Sequence, residues 1–434
     1  MDGRRGSLFD QVQPSTKWRL QANAEWPGHA TLRRLRGHMK AMIKRFAPIV
    51  EILLATLPAT VLAILVGVAF CAVTNARAQM PPQEEVSILE LPPVAPHWIA
   101  VTSFGGSIMV TPITLIDGDS LQVLGTITGG MTSMFAASPD HKQFYTADTF
   151  YSRAIRGDRT DTVTIYDARK LAPVSEIVIP NKRQLAVQDA TAMSVTPDGR
   201  FLLYSNLTPA TSVTAVDLQG NKVAAEIQIP GCSEILMLGV REFASLCADG
   251  SMLTTQFDDN AKATEQKRTA KPFFDVDKDP VFALPAMIDK QAYFVSYHGV
   301  VYPMDMSSSP SSSGGTWPLL TDKDRAAGWR PGGWQPLSFY AQDHLIFVLM
   351  HRGGEWTHKK AGTEVWVFNV DQHNRVARIP LPVEANSIRV TQDAKPILFT
   401  ASTHEGVIQV FSALGGKYQG QIEEMGQPFT LFGL

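Results

Sequence analysis

The feature that most constrains the fold is a short aspartate turn that recurs along the chain. Each copy follows an apolar run and precedes a β-rich run, as in Thr196-Pro197-Asp198-Gly199-Arg200. The six copies place aspartates at Asp140, Asp198, Asp249, Asp289, Asp343 and Asp393, at intervals of 58, 51, 40, 54 and 50 residues. Intervals of this length are typical of one four-stranded blade of a β-propeller.

The segments between these turns have the composition of β-strands. Runs such as 162–166, 345–349 and 365–368 are rich in β-branched and aromatic residues. An additional blade begins near Trp98 and ends near Thr128, which brings the number of blades to seven. The sequence therefore predicts an all-β fold: a seven-bladed β-propeller of four-stranded antiparallel blades.

The first 78 residues have the composition of an export signal. Ten Lys or Arg face three acids in residues 1–50, residues 52–73 carry no charge, and Ala76-Arg77-Ala78 fits a signal peptidase site. We expect cleavage after Ala78, an export segment at 1–78 and a periplasmic propeller at 79–434. The leader is long, so the true start is expected downstream, at Met42 or Met39. The alternative is a membrane anchor, because about 20 apolar residues can span a bilayer.

Removing the export segment changes the charge of the protein. Residues 79–434 contain 28 Lys or Arg and 37 Asp or Glu, a net charge of −9. This charge disfavours nucleic acid as a partner and suits a positively charged ligand such as an alkylammonium ion.

The cysteine count gives a second indication of an oxidising compartment. Of the three cysteines, Cys71 lies in the export segment, which leaves Cys232 and Cys247. An even pair in an exported protein predicts one disulfide. The alternative is two buried free thiols.

The motifs of common enzymes are missing from the sequence. It has no Walker loop, no Rossmann fingerprint, no His-Glu-x-x-His and no Cys-x-x-Cys. His351, Glu355 and His358 could together bind a metal, but exposed loop histidines are the commoner case. We therefore predict that this chain has no catalytic residue and no metal site of its own.

Four residues stand out in two tryptophan-rich segments. Trp329, Arg330 and Trp334 lie in the run Gly328-Trp-Arg-Pro-Gly-Gly-Trp-Gln335, and Trp356 lies in Glu355-Trp-Thr-His-Lys359. Exposed tryptophan is costly, so these residues are expected in a packed loop or at a subunit interface. The alternative to an interface is a loop that closes a blade.

Both segments resemble motifs of the heavy subunit of the quinoprotein amine dehydrogenases, the methylamine and aromatic amine dehydrogenases. Residues 150–161, the pair Cys232 and Cys247, and residues 388–396 resemble further family segments, the cysteines its intrablade disulfide. The resemblance covers about residues 95–434.

The resemblance implies a specific assembly. Family members are periplasmic heterotetramers of two heavy and two light subunits. The light subunit carries tryptophan tryptophylquinone and the catalytic base, and this chain would bind no cofactor itself. A primary amine is converted to aldehyde and ammonia, and electrons pass to a cupredoxin of the amicyanin or azurin type.

One departure from the family pattern concerns the substrate channel. After paired glycines the family usually places a phenylalanine at the entrance to the quinone, whereas Gly129-Gly130 is followed here by Met131, with Phe135 nearby. The resemblance thus predicts Met131 and Phe135 at the channel. Because methionine is flexible, we expect the channel to admit an amine other than methylamine. The alternative is a core methionine under the turn.

Three functions are compatible with an exported propeller of this composition. The leading prediction is the heavy subunit of a periplasmic amine dehydrogenase. The alternative is a stand-alone exported propeller that binds a ligand or protein without catalysis. A propeller enzyme with its own metal or haem is disfavoured by the missing ligand motifs.

Overall fold

The described part of the chain forms seven radial antiparallel sheets. A computed structural model describes residues 90–104, 109–186 and 188–434. The predicted seven-bladed, all-β propeller is confirmed. The predicted export segment at 1–78 lies outside the described residues, and the domain boundary at residue 79 stays a prediction.

The first four blades are built mainly from consecutive strands. Blade 1 contains β1 (Trp98–Ser103), β2 (Thr111–Asp117), β3 (Gln122–Gly129) and the C-terminal β30 (Pro428–Gly433). Blade 2 contains β4 (Met134–Ala137), β5 (Gln143–Arg153), β6 (Arg156–Asp167) and β7 (Ala172–Ile179). Blade 3 contains β8 (Met193–Val195), β9 (Phe201–Asn206), β10 (Ser212–Asp217) and β11 (Lys222–Gln228). Blade 4 contains β12 (Cys232–Gly239), β13 (Glu242–Cys247), β14 (Met252–Phe257) and β15 (Ala263–Arg268).

Blades 5 and 6 each divide one strand position between two short strands. Blade 5 contains β16 (Ala286–Ile288), β17 (Gln291–Val295), β18 (Val300–Asp305), β19 (Ser312–Ser313) and β20 (Trp317–Pro318). A helix, α1 (Asp322–Ala326), follows with Thr321 as its N-cap. Blade 6 contains β21 (Trp329–Pro331), β22 (Leu337–Tyr340), the 3-10 turn Ala341–Asp343, β23 (Leu345–Arg352), β24 (Gly362–Asn369) and β25 (Asn374–Ala385). Blade 7 contains β26 (Ser387–Val390), β27 (Ile397–Ser402), β28 (Val407–Ser412) and β29 (Tyr418–Ile422).

The C-terminal strand closes the ring of blades. β30 pairs antiparallel with β1, with Ile99 opposite Gly433 and Val101 opposite Leu431. It also contacts β26 of blade 7, and β26 contacts β22 of blade 6. The C-terminal strand therefore takes the innermost position in blade 1, and in the other blades the first strand lies nearest the propeller axis.

The core is distributed over the spaces between neighbouring blades. All six residues of β9 are buried, because both of its faces are covered. One apolar cluster joins Met134, Val163 and Ile165 of blade 2 to Leu202 and Tyr204 of blade 3. Each fully buried side chain of this size contributes roughly 1.5–3 kcal/mol, so the blades stabilise one another by repetition.

The aspartate turns define one face of the propeller, here called the turn face. Five of the six connect the first and second strands of a blade, at Asp140, Asp198, Asp289, Asp343 and Asp393. In the best-formed copies a hydroxyl two residues earlier donates to the aspartate, as from Thr196 to Asp198 at 2.6 Å and from Thr391 to Asp393 at 2.7 Å. These side chains replace backbone partners in the turn.

Asp249 departs from the predicted repeat. It lies between β13 and β14, the second and third strands of blade 4, and therefore on the opposite face. Its carboxylate accepts from the Ser251 backbone N–H at 3.0 Å, so the local turn resembles the others. The same local hydrogen bonding serves either end of a strand pair, which explains why the sequence pattern placed it incorrectly.

The face opposite the turn face is called the loop face. It carries the hairpins between second and third strands, such as residues 353–361, and the connections between blades, such as residues 180–192 and 269–285. Long connections of this kind are where binding residues usually lie. No helix among the described residues has the length and apolar character needed to cross a membrane.

Candidate functional site

The tryptophan-rich segment of blade 6 interrupts the innermost strand. β21 and β22 both pair with β23, and residues 332–336 bulge out between them. A Cβ on Gly332 would lie 2.4 Å from Nδ1 of His351, and Gly333 has φ of +131° with Asn386 O 2.5 Å from its would-be Cβ. A Cβ would clash with the His351 ring at Gly332 and with backbone at Gly333, so the bulge requires glycine at both positions.

The bulge carries Trp334 and Gln335 to the propeller axis. The Trp334 indole N–H donates to the Gln188 carbonyl at 3.3 Å, and its ring lies 4.2 Å from that of Phe429. Gln335 is buried, and its side-chain amide donates to the carbonyls of Ile388 and Leu431. The bulge therefore joins blade 6 to blades 7 and 1 and to the connection that precedes blade 3.

A cavity of about 220 Å³, the central cavity, opens beside this bulge. Its lining includes Asp189, Tyr297, Trp334, His358 and Thr430. These residues come from blades 1, 5 and 6 and from the connection between blades 2 and 3, so the cavity lies at the propeller axis. The His358 ring stacks on Tyr297 with centroids 3.8 Å apart, and burial together with Lys359 lowers the pKa of His358. The cavity therefore has a neutral aromatic wall.

Met131 lies on the loop face in the connection between blades 1 and 2. It is half-buried, and its backbone N–H donates to the Thr149 carbonyl at 3.0 Å. Its position is that of a partly exposed side chain on a fixed turn rather than a fully buried core methionine. Its predicted role in a substrate channel is compatible with this position and stays a prediction.

Residues 130–133 form a turn, here called the Met131 turn, and the Arg183 side chain holds it in place. This side chain is 2% exposed and donates to the carbonyls of Thr132 at 2.6 Å and Met131 at 2.7 Å. Asp148 accepts from the Gly130 N–H at 2.8 Å and from the Ser133 hydroxyl. Asp148 thus holds both ends of this four-residue turn, and Arg183 holds the two carbonyls in its middle.

The Arg183 guanidinium lies within a buried polar network. Burial lowers the pKa of Arg183 to about 10, although the carboxylates of Asp148 and Asp161 oppose the shift. The group therefore stays charged at neutral pH. Arg159 forms an ion pair with the fully buried Asp161 at 2.6 Å and donates to the Arg183 carbonyl at 2.9 Å. The Arg-Gly-Asp-Arg-Thr-Asp segment, residues 156–161, thereby connects to the Met131 turn.

Phe135 occupies a different environment from Met131. It is 2% exposed, and its ring lies 5.5 Å from Phe144 and 5.2 Å from Phe432. These contacts place it in the core between blades 1 and 2. Packing between blades therefore accounts for Phe135, and its predicted channel role has no support from its position.

Trp329 and Arg330 pack within the chain. Trp329 is 5% exposed and lies 5.1 Å from Trp366, while the guanidinium groups of Arg352 and Arg378 lie over its ring at 4.9 and 5.0 Å. Arg330 donates to the Gly353 carbonyl at 3.1 Å. These contacts favour a blade-closing role, the alternative reading of the sequence, and leave little of Trp329 for a partner.

Trp356 has the exposure expected of an interface residue. It is 53% exposed and has a φ of 60°, on the hairpin between β23 and β24. Other exposed apolar side chains lie on the same face. We call the following residues the loop-face apolar set: Phe104, Met109, Val110, Phe150, Ile155, Leu207 and Trp356. This set holds seven of the fourteen large apolar side chains that are exposed among the described residues, and exposed apolar residues that share a face commonly mark a protein interface.

The predicted disulfide between Cys232 and Cys247 is confirmed. The two cysteines lie directly opposite each other on the paired strands β12 and β13. The bond therefore fastens the innermost strand of blade 4 to its neighbour at the loop-face end.

The histidines considered as metal ligands have other surroundings. His351 is 2% exposed, and burial, with Lys360 and Arg330 nearby, lowers its pKa to about 4. Its Nε2 lies 2.9 Å from the Thr357 hydroxyl. Within the described residues, no group of three or more His, Cys, Asp or Glu side chains is placed to hold a metal ion.

Three polar side chains of the loop face could not be predicted from the sequence: Arg183, Asn206 and Glu234. None belongs to a motif, and each acquires its environment from segments distant in the chain. A non-glycine residue with positive φ, such as Glu234 at 70°, is visible only in the folded structure.

The sequence of this chain is similar to those of methylamine dehydrogenase heavy chains. The family model of the methylamine dehydrogenase heavy chain matches residues 99–432. The methylamine dehydrogenase heavy chain of Paracoccus versutus is 29% identical over 347 residues, which cover 79% of this chain and 80% of that protein. That of Methylophilus methylotrophus is 30% identical over 353 residues, which cover 81% of this chain and 86% of that protein.

A solved structure supports the architecture independently. The dihydro-heme d1 dehydrogenase NirN, in complex with DHE, superposes with a TM-score of 0.50 at 15% identity and covers 82% of this chain and 78% of its own. At that identity the likeness shows the fold alone. The family match extends over nearly all of the propeller, and the chain therefore belongs to the methylamine dehydrogenase heavy chain family.

Proposed function

We propose that this chain is the heavy subunit of a periplasmic amine dehydrogenase that converts primary amines to aldehyde and ammonia. Its partner would be a light subunit that carries tryptophan tryptophylquinone, in an assembly of two heavy and two light chains. Electrons would pass to a cupredoxin. The family match over residues 99–432 is the observation that carries the proposal.

The placement of the quinone on the partner is supported by the family match over residues 99–432. Trp329 and Trp366 form a close tryptophan pair among the described residues, with ring centroids 5.1 Å apart. Arg375 lies over the Trp366 ring at 4.1 Å, and this packing gives the pair a structural role in blade 6.

In this proposal the quinone supplies the electron sink for amine oxidation, and this chain supplies position and surroundings. The loop-face apolar set offers the partner a surface from which water is excluded on docking. Arg183 and Asp148 hold the Met131 turn rigid at this face. A fixed turn with a flexible side chain can narrow an entrance while adapting to amines of different shape.

Co-expression tests the proposal. The full chain would be produced with the light-subunit gene from its own genome, and the pair purified through a tag on the heavy chain alone. We expect a small co-purifying subunit that stains for quinone and supports amine-dependent dye reduction. A chain that purifies alone, without quinone absorbance or turnover, would instead identify the stand-alone binding propeller.

The Met131 side chain gives a sharper test of substrate choice. Met131→Phe introduces the residue that the family resemblance predicts at this position, and we expect kcat/KM to shift toward methylamine by about tenfold relative to larger amines, the range a pocket contact provides. The matched control is Met287→Phe, a half-buried methionine of blade 5. Unchanged selectivity in Met131→Phe would show that Met131 does not line the entrance.

A further inference from the structure

A second cavity lies beside the disulfide on the loop face and is here called the acidic cavity. It has a volume of about 230 Å³. Two carboxylates, Asp189 and Glu234, line it together with the polar side chains of Gln184, Ser205, Asn206, Thr211 and Ser233. The rest of the wall is apolar and comes from Ala186, Ala192, Leu207, Ile229 and Cys232. The cavity therefore combines two acidic groups with apolar walls that suit hydrocarbon.

The two carboxylates of the acidic cavity share one hydroxyl group. Thr191 Oγ1 lies 2.7 Å from Asp189 and also contacts Glu234 directly. A threonine hydroxyl has one hydrogen, so it can donate to only one of the two carboxylates. Asp189 also accepts from the Thr191 backbone N–H at 2.8 Å, and Glu234 accepts from the Ser233 hydroxyl at 3.3 Å. A proton on one carboxylate, or a cation between the two, would relieve the close approach of a second carboxylate oxygen to the Thr191 hydroxyl oxygen.

Asn206 supplies an independent indication of a missing donor. It is 2% exposed, and its amide nitrogen donates to the hydroxyls of Ser212 at 2.9 Å and Thr214 at 2.8 Å. Its Oδ1, which diverges from that nitrogen, has no hydrogen-bond partner among the described residues. A buried carbonyl oxygen without a donor is costly, and it marks a place where a ligand donor would be favourable.

The raised pKa of Glu234 shows that a negative charge in this cavity lacks a compensating positive charge. Burial, and then the charge of Asp189, raise the pKa of Glu234 to about 8, against hydrogen bonds from Thr191 and Ser233. Two cations in the connection that carries Asp189 are engaged elsewhere: Lys182 pairs with Glu226 at 2.7 Å, and Arg183 holds the Met131 turn. Near neutral pH a proton therefore occupies the position that a cation could take.

We infer that the acidic cavity binds a primary alkylammonium ion. An ammonium group has three N–H donors, which match the oxygens of Asp189, Glu234 and Asn206. The apolar walls accept the alkyl chain. An inorganic cation would leave these apolar walls without a ligand to cover them, whereas an alkylammonium ion fills both parts of the cavity. The inference rests on the proposed function, because it assigns the same substrate class to a site on this chain.

The acidic cavity lies next to the central cavity and close to the Met131 turn. Asp189 also lines the central cavity, so the two cavities meet at this carboxylate. Asn206 forms a backbone bridge with Arg183, the residue that holds Met131. An amine held here would be concentrated on the loop face, one contact away from the turn predicted at the channel entrance.

Calorimetric titration of the purified full chain tests the inference. Methylammonium and propylammonium chloride would be the probes, with tetramethylammonium and potassium chloride as controls at constant ionic strength. We expect saturable binding of the primary ammonium ions, weakened at least tenfold in Glu234→Gln and Asp189→Asn. Glu176→Gln, which removes an exposed carboxylate of β7, should leave binding unchanged.

The pH dependence gives a second readout. Because the proton on Glu234 competes with the ammonium ion, affinity should rise about tenfold or more from pH 6.5 to pH 9. It should fall again near pH 10, where alkylamines lose their own charge. The rise should disappear in Glu234→Gln, whose melting temperature would be measured to confirm that it folds.

The outcomes separate this inference from the proposed function. Equal binding of potassium, or wild-type affinity in Glu234→Gln, would overturn the ammonium site even if the enzyme turns over amine. Ammonium binding that depends on Glu234, in a chain that supports no turnover with any light subunit, would establish the site and overturn the proposed function.

Discussion

At the residue scale, single buried side chains control the loop face. Arg183 holds two carbonyls of the Met131 turn and faces the buried Asp148 and Asp161, so one guanidinium links the turn to blade 2. Its removal would leave carbonyl oxygens without donors and carboxylates without a neighbouring cation. Such a group affects both stability and the shape of the predicted entrance.

Arg183→Met tests this role directly. We expect the variant to lose about 3 kcal/mol of unfolding free energy, since uncompensated buried charges cost that amount, as measured by the urea midpoint. Arg156→Met removes an exposed arginine of the same blade and should change stability by less than about 0.5 kcal/mol.

A positioning role also requires a kinetic effect. In the assembled enzyme, Arg183→Lys should fold and should raise KM for amine more than it lowers kcat, because a lysine ammonium lacks the planar fork that fixes both carbonyls in one geometry. Equal stability of Arg183→Met and Arg156→Met, or wild-type KM in Arg183→Lys, would contradict the positioning role of Arg183.

At the element scale, the sequence predicted what depends on local pattern. Strand composition and aspartate turns gave the blades, and the disulfide between β12 and β13 followed from two remaining cysteines. Contacts between distant segments could not be predicted from the sequence. Gln335 forms a hydrogen bond with Leu431, 96 residues away, and Arg183 with Met131, 52 residues away. No local periodicity records such pairs, so the tryptophan segment was placed at an interface as readily as in the core.

The junction between blades 1 and 7 offers a prediction about pH. His97 lies 2.7 Å from Asp119 and 3.1 Å from Asp393 of blade 7. Burial acts to lower its pKa, but the hydrogen bonds and charges of both aspartates outweigh burial and raise it. A raised pKa means that the folded state favours protonated His97. This stabilisation is present below pH 6.5 and is lost as the pH rises through the folded-state pKa.

His97→Gln should therefore destabilise the propeller more at pH 5.5 than at pH 8.5. The difference should stay under about 1 kcal/mol, because solvent screens this partly exposed pair. Thermal melts at both pH values would measure it. His404→Gln, an exposed histidine of blade 7, should show no such difference. The same loss at both pH values would mean that His97 acts by packing alone.

At the scale of the whole molecule, the two faces of the propeller differ in chemistry. The turn face is marked by aspartates such as Asp140, Asp198 and Asp393, whose carboxylates are used in turns. The loop face carries the loop-face apolar set, the Met131 turn and both cavities. A propeller with one polar face and one partly apolar face has one evident side for a protein partner, which agrees with a supporting subunit.

The binding of the light subunit to face variants tests the central claim most directly. A charge at the centre of an apolar interface is costly, whereas the same charge on a free surface is tolerated. Affinity would be measured for the wild-type chain, for Trp356→Glu on the loop face and for Val240→Glu on the turn face, both side chains being about half exposed. We predict at least tenfold weaker binding for Trp356→Glu and wild-type affinity for Val240→Glu. Weaker binding of Val240→Glu alone would contradict the account.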